Sequence, residues 1–172
     1  MYPIGTPSAG RKLYFAYGSN MSPARLGARL ESVDKRGQAE LAGHRLSFHK
    51  SGSDGSGKCD IPRCDGSRVL GVLYGVATAD FAVLDRIEGV GCGYERDEVE
   101  VRVGAESVTA FTYRATHIDP RLRPFCWYRY HVLSGALAAG LAGHYVDAIR
   151  AVETIRDPDR GREQRELSIY RS

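Results

Sequence analysis

Two short segments of this chain carry residue types suited to chemistry: a small polar turn, Tyr17-Gly18-Ser19-Asn20, and an acid, Glu88, set just before Gly89-Val90. The turn follows an aromatic stretch, Tyr14-Phe15-Ala16, and leads through Met21 into Ser22-Pro23. Ser22 suits a helix cap, and Pro23 suits the first helical position, where its missing N–H costs nothing. A strand that passes through such a turn into a helix exposes backbone N–H groups, which can hold a carboxylate or a polarised carbonyl oxygen. Glu88 ends a stretch with helical spacing at Phe81, Leu84 and Ile87. A negative charge is poorly placed at a helix C-terminus, so Glu88 points to function more than to stability.

Taken together, the two segments resemble the gamma-glutamylcyclotransferases, whose pattern is a YGSN loop after the first strand and an acid in a later LD-x-x-EGV segment. Here these read Tyr17-Gly18-Ser19-Asn20 and Leu84-Asp85-Arg86-Ile87-Glu88-Gly89-Val90. The likeness continues through Val69-Leu70-Gly71-Val72-Leu73-Tyr74-Gly75-Val76 and through Tyr128, Gly135-Ala136, Gly140-Leu141 and Tyr145.

The resemblance implies an intramolecular aminolysis. The α-amine of a γ-glutamyl group attacks its own γ-carbonyl, releasing the attached amine and leaving 5-oxoproline, with no cofactor and no metal. Fixing one reactive conformer can supply much of the barrier, within the roughly 7–11 kcal/mol open to fully positioned reactants. Glu88 is then the expected general base and later proton donor, a task for which partial desolvation suits a carboxylate. The backbone N–H groups of Gly18, Ser19 and Asn20 are expected either to stabilise the oxyanion, at about 3 kcal/mol per donor, or to bind the α-carboxylate. By the same resemblance, Tyr17, Tyr94, Tyr113 and Tyr128 line the substrate pocket, and the activity is of transferase or lyase type, within glutathione metabolism.

Asn20 distinguishes the chain from the related glutathione-specific branch, which resembles YGS followed by an aliphatic residue. Two departures bear on the leaving-amine pocket. Tyr94 stands one residue nearer the acid than in some members, and Phe125-Cys126-Trp127 replaces a small Pro-Ser type start. Arg96 and Arg114 are candidate carboxylate partners, with surface pairing as their structural alternative. A Ser19 or Cys92 nucleophile served by one of the five histidines has no supporting motif.

The elements that must position these residues follow from patterning. Lys12 to Ala16 reads as a strand and Pro23 to Leu30 as a helix with Leu26 and Leu30 on one face. Lys35 to Glu40 and His44 to His49 read as two strands around a turn at Gly43. Residues 51 to 58, rich in Gly and Ser, read as a mobile loop. Val69 to Ala77 reads as a strand, and Ala79 to Glu88 as a helix. Val99, Val101 and Val103 alternate with Glu98, Glu100 and Arg102, which predicts a hairpin from Tyr94 to Val103 and Ser107 to Arg114 with one wet face. Phe125 to Leu141 reads as a helix burying Trp127, Tyr128, Val132 and Leu133, and Tyr145 to Thr154 as the last one. Beyond Arg156 the chain reads as charged and irregular.

These elements predict one mixed α+β domain over residues 1–172, with a core from about 12 to 154 and accessory arms at 1–11 and 156–172. The resemblance sharpens this to a small, partly closed β-barrel flanked by helices. At 172 residues, 42% hydrophobic and 26% charged, the chain suits one stable core. A net charge of +3 with interspersed acids gives no footprint for nucleic acid. No apolar run predicts a membrane span, and Met1 to Arg11 lacks a signal-peptide core, so a cytoplasmic monomer or homodimer with a small γ-glutamyl substrate is expected. Cys59, Cys64, Cys92 and Cys126 match no paired zinc spacing, although Cys59 and Cys64 with His44 or His49 make a nominal half-site. Two alternatives remain: a non-catalytic module binding a γ-glutamyl or other carboxylate ligand, and a cyclotransferase that removes a γ-glutamyl protecting group within one pathway.

Overall fold

The structure, a computed structural model, describes residues 7–171. Strand β1 (Arg11–Ala16) passes through the polar turn and a single 3₁₀ turn (Ser19–Met21) into α1 (Pro23–Gly27). Then follow β2 (Val33–His44), β3 (Ser47–Ser51), β4 (Gly57–Asp60), β5 (Arg63–Ala77), α2 (Phe81–Glu88), β6 (Tyr94–Val103) and β7 (Glu106–Ala115). Helices α3 (Cys126–Ala138), α4 (Gly143–Arg150) and α5 (Arg160–Ser168) complete the chain.

Five strands close a barrel in the order β1-β5-β2-β6-β7, while β3 and β4 form a separate two-stranded sheet. Closure is made by a parallel contact between Tyr14 of β1 and Phe111 of β7, against antiparallel pairing everywhere else in the barrel. In β6 the alternating valines turn inward and the charged residues outward, as the period of two requires. By contrast, Leu13 to Ala16 are all buried, so both faces of β1 are covered.

Three expectations need correction. Gly43 does not divide two strands: β2 runs through it, and the left-handed glycine instead marks a register irregularity between Ala42 and His44. The Gly/Ser segment 51–58 is not a loose loop but the turn of the β3–β4 hairpin. Asp54 accepts from Ser56 and from Lys58 Nζ at 2.7 Å, and Lys58 lies over the rings of Trp127 and Tyr128. Composition there is low in apolar side chains because polar side chains hold the turn instead. The segment beyond Arg156 is not irregular, since Asp159 caps α5 by accepting from Arg162 N. Smaller differences concern Ile87, which is exposed, and Leu133, which is only partly buried. Among the described residues no helix is long and apolar enough to cross a membrane.

Helix α3 packs directly on the polar turn, and Gly135 permits the approach. A methyl group added there would lie 2.5 Å from Ser22 N and 2.6 Å from Met21 Cβ. Met21 is fully buried beneath it, so the turn cannot simply move aside. Gly135→Ala is therefore expected to lower unfolding free energy by about 1–3 kcal/mol despite alanine's higher helix propensity. Urea denaturation with an unchanged m-value checks it; a gain in stability would mean that the contact relaxes freely.

Candidate active site

The turn is a scaffold for Asn20. Ser22 caps α1 by accepting from Arg25 N at 3.3 Å, which fixes where the turn ends. Among the described residues, the backbone N–H groups of Gly18, Ser19 and Asn20 have no acceptor, while the next two close back onto the carbonyls of Gly18 and Ser19. Arg29 Nη1 donates to Asn20 Oδ1 at 2.7 Å and so sets the amide's orientation. Asn20 Nδ2 then donates to Glu88 Oε1 at 2.9 Å and to the Tyr14 hydroxyl at 3.0 Å.

Glu88 reaches this point because α2 stops there. Gly89 adopts a left-handed conformation, φ 66°, and Val90 N donates back to Asp85 O at 2.9 Å. The carboxylate side chain is 15% exposed and has Arg29 Nη1 3.4 Å from Oε1. Asn20 and Arg29 thus hold one oxygen, and the second has no protein partner among the described residues.

Glu88, the turn, Tyr14, Tyr17, Cys59, Tyr94, Tyr113 and Tyr128 line a small cavity of about 30 Å³ that opens to solvent. Larger depressions exist elsewhere, one of about 630 Å³ beside Lys12 and Phe81. Within the small cavity the tyrosines differ in what they can still donate. Tyr17 donates to Tyr113 O, Tyr94 to Cys59 O at 2.7 Å, and Tyr113 to Asp85 Oδ1 at 2.8 Å. Tyr128 instead accepts from Cys59 N at 3.0 Å and donates to no carbonyl or carboxylate among the described residues. Burial pushes the hydroxyls of Tyr14, Tyr17, Tyr94, Tyr113 and Tyr128 well above the ordinary phenol range, so all remain neutral donors.

Behind the turn lies a buried polar network. Arg25 Nε donates to Ser19 Oγ at 3.1 Å, and Arg25 Nη1 pairs with Glu166 Oε2 of α5. His131 Nε2 lies 3.0 Å from the same carboxylate oxygen, and His131 Nδ1 lies 2.7 Å from the Tyr170 hydroxyl. His131 Nε2 also lies 2.8 Å from Arg25 Nη1, which can only donate, so one ring nitrogen faces both a donor and an acceptor. The Tyr170 hydroxyl also lies 2.9 Å from Ser22 Oγ. His131 is fully buried.

The structure brings together Glu88, Tyr17, Gly18, Ser19, Asn20, Tyr94, Tyr113 and Tyr128 of the residues singled out from sequence. Arg96 and Arg114 are not among them, being paired with Asp85 at 3.7 Å and Asp97 at 2.9 Å. Ser19 Oγ is bonded to Arg25 and Cys92 is exposed, so neither has the base that a nucleophile needs. Sequence reasoning missed Tyr14, Arg29, Cys59 and Lys50. Arg29 comes from the segment just after α1, and Lys50 and Cys59 arrive from a hairpin distant in sequence. Lys50 is buried and lies over the Tyr94 ring at 4.7 Å rather than against a carboxylate, and burial lowers its pKa against the opposing pull of Glu88 and Asp54.

A closed five-stranded barrel that holds an acid beside a turn of backbone donors defines the class of site, and comparisons with known proteins give its family. The family profile described as "Gamma-glutamyl cyclotransferase, AIG2-like" matches residues 14–129. The chain is 30% identical over 148 residues to the human gamma-glutamylcyclotransferase, covering 82% of this chain and 78% of that one. It is 31% identical over 149 residues to the mouse gamma-glutamylcyclotransferase, with the same coverage, 82% and 78%. A solved structure titled "Gamma-glutamyl cyclotransferase" superposes with a TM-score of 0.84 at 27% identity, over 94% of this chain and 99% of that one. The chain belongs to the gamma-glutamyl cyclotransferase, AIG2-like family. It is an enzyme of the gamma-glutamylcyclotransferase type.

The buried network behind the turn is acid-labile. Burial pushes the His131 pKa from 6.5 down to about 4, with the Glu166 hydrogen bond opposing part of the shift. Burial works against the charge on Glu166, but His131 and Arg25 outweigh it and lower its pKa to about 2. A depressed histidine contributes stability that is complete above its unfolded pKa and is lost as pH falls through the folded one. The melting temperature is expected to fall between about pH 6.5 and about pH 4, with a further loss below about 4.5 as Glu166 protonates. Thermal melts of the parent and of His131→Gln across this range check it; the first decline should flatten in the variant.

Proposed function

We propose that the protein converts small γ-glutamyl dipeptides to 5-oxoproline and a free amino acid, with Glu88 moving the protons. The observation that carries this reading is the Asn20–Glu88 hydrogen bond at 2.9 Å, which puts a carboxylate beside three unpartnered backbone N–H groups. That juxtaposition matches the amino-acid end of a γ-glutamyl group, whose ammonium and carboxylate share one carbon. The N–H groups of Gly18, Ser19 and Asn20 and the Ser19 hydroxyl take the α-carboxylate, and Glu88 takes the ammonium.

Glu88 removes one proton from the ammonium, and the freed amine attacks the γ-carbonyl carbon. A C–N bond forms as the carbonyl π pair moves to oxygen, and Tyr128, whose hydroxyl has no carbonyl or carboxylate acceptor among the described residues, donates to that oxyanion. As the carbonyl re-forms, the original C–N bond breaks with its electron pair on the leaving nitrogen. Glu88 passes on the first proton, then takes and passes on the second. The leaving group departs as an ammonium, and no water is consumed.

Lys50 favours a leaving group that bears a carboxylate. A buried ammonium without a carboxylate partner is unfavourable, and the substrate's own ammonium would be repelled by it. The distal carboxylate of a dipeptide meets the need. The Lys50→Met variant is accordingly expected to raise KM about tenfold for γ-glutamyl-alanine and to leave γ-glutamyl-ethylamine unchanged; equal effects on both would remove this role.

The reaction itself is tested by incubating purified protein with γ-glutamyl dipeptides, γ-glutamyl amines and glutathione, and following 5-oxoproline by mass spectrometry. Glu88→Gln is expected to lower kcat by at least 10²-fold, on the scale of a lost general base, while retaining ligand-induced thermal stabilisation. Stabilisation of the parent protein without any product would instead identify a binding module.

A further inference from the structure

We infer that the C-terminal helix α5 is a positioning element of the reaction, and that Glu166 acts through Arg25 on the hydroxyl of Ser19. The inference rests on the reading above, in which the turn around Ser19 holds the α-carboxylate of the substrate.

The geometry runs in one line. Glu166 Oε2 pairs with Arg25 Nη1, and Arg25 Nε donates to Ser19 Oγ at 3.1 Å. Because Ser19 Oγ accepts from Arg25, its own proton is directed elsewhere, and the cavity is where it is needed. The Arg25 side chain is 10% exposed, and Glu166 is its ion-pair partner among the described residues. A guanidinium left in that place without a carboxylate is an uncompensated buried charge, and the side chain would have to leave the turn to reach water. Glu166 therefore decides where Arg25 sits, and Arg25 decides how Ser19 is turned.

Two further contacts separate this role from simple attachment of the helix. Asp157, buried, accepts from Arg162 at 2.6 and 2.5 Å and from Trp127 Nε1 at 2.7 Å, so the start of α5 is anchored to α3 without using Glu166. At the far end, Tyr170 meets Ser22 at 2.9 Å, at the cap that ends the turn. The helix has no fully buried residue, Leu167 being only partly buried against the core; Glu166 ends on Arg25 of α1 and His131 of α3, and Tyr170 on Ser22 and His131. The family profile stops at residue 129, so this support lies outside the segment by which the family is recognised.

Ser19 holds the carboxylate alike in the ground state and the transition state, so its loss appears in KM and not in kcat. The experiment measures 5-oxoproline release from a γ-glutamyl dipeptide by the full chain, well below the melting temperature of each variant. Glu166→Gln is expected to raise KM at least fivefold with kcat within twofold, whereas Glu163→Gln on the same helix leaves both unchanged. Ser19→Ala is expected to give a similar rise, and the double variant no more than the larger single effect, because both remove one interaction.

A KM that does not move in Glu166→Gln overturns the inference, as does a fall in kcat alone, which reports fewer folded molecules. Multiplying effects in the double variant also overturn it. If Glu166→Gln does not fold, Arg25→Lys serves the same cycle, since it keeps a cation for Glu166 but its single nitrogen cannot take the separate places of Nε and Nη1 and so reach Ser19 as well; an unchanged KM there overturns the inference too. A parent enzyme that is active and dependent on Glu88, with Glu166→Gln behaving like it, sinks this inference alone. No product from the parent overturns both readings.

Discussion

The Asn20 amide is the joint on which the site depends. It has two kinds of atom to offer, and both are committed: the oxygen to Arg29, the nitrogen to Tyr14 and Glu88. Arg29 belongs to the segment after α1, Tyr14 to β1 and Glu88 to the end of α2, so three parts of the chain meet on one planar group. The planarity matters because it removes a rotational freedom from the carboxylate. A reaction whose barrier falls mainly through fixing reactants in register needs its base fixed as well.

The barrel exists, from this viewpoint, to bring β1 against β7. That parallel contact sets Tyr14 over Phe111 with ring centroids 5.0 Å apart, and it brings Tyr113 to the edge of the same stack. The rings around the cavity are thus held by packing, and their hydroxyls by hydrogen bonds, which is the condition for burying phenols without cost. Three of those hydroxyls serve the protein, leaving few donors free to face a ligand. Selectivity follows from scarcity: where most polar atoms are already satisfied, the unsatisfied ones define the ligand.

Periodic patterning made the barrel's local elements readable before the structure. The alternating valines of β6 and the aromatic run of β1 announced strands, and Glu88 before Gly89 announced a helix end. What was not readable depends on polar contacts between distant segments. Helix α5 has no apolar stripe to signal it, because Asp157, Glu166 and Tyr170 hold it through hydrogen bonds and ion pairs. The 51–58 hairpin turn likewise hides in its composition, since Asp54, Ser56 and Lys58 do there what apolar side chains do elsewhere. In the site, the turn and the acid were legible as a motif, whereas Arg29 and Lys50 acquire meaning only from what they lie beside.

The same contrast explains how the site divides its work. Apolar packing fixes the walls and leaves little room for adjustment, as the approach of Gly135 to Met21 illustrates. The polar network behind the turn is of another kind: Arg25, His131 and Glu166 form a small set of charges and dipoles that is satisfied in one arrangement and costly in any other. Packing alone could bury the turn, but it has no means of orienting a hydroxyl. Orientation demands a directional partner, the directional partner here is charged, and a buried charge demands its counter-ion. That chain of requirements leads from Ser19 to Arg25 and from Arg25 to Glu166, and it gives a polar C-terminal helix a physical reason to be where it is.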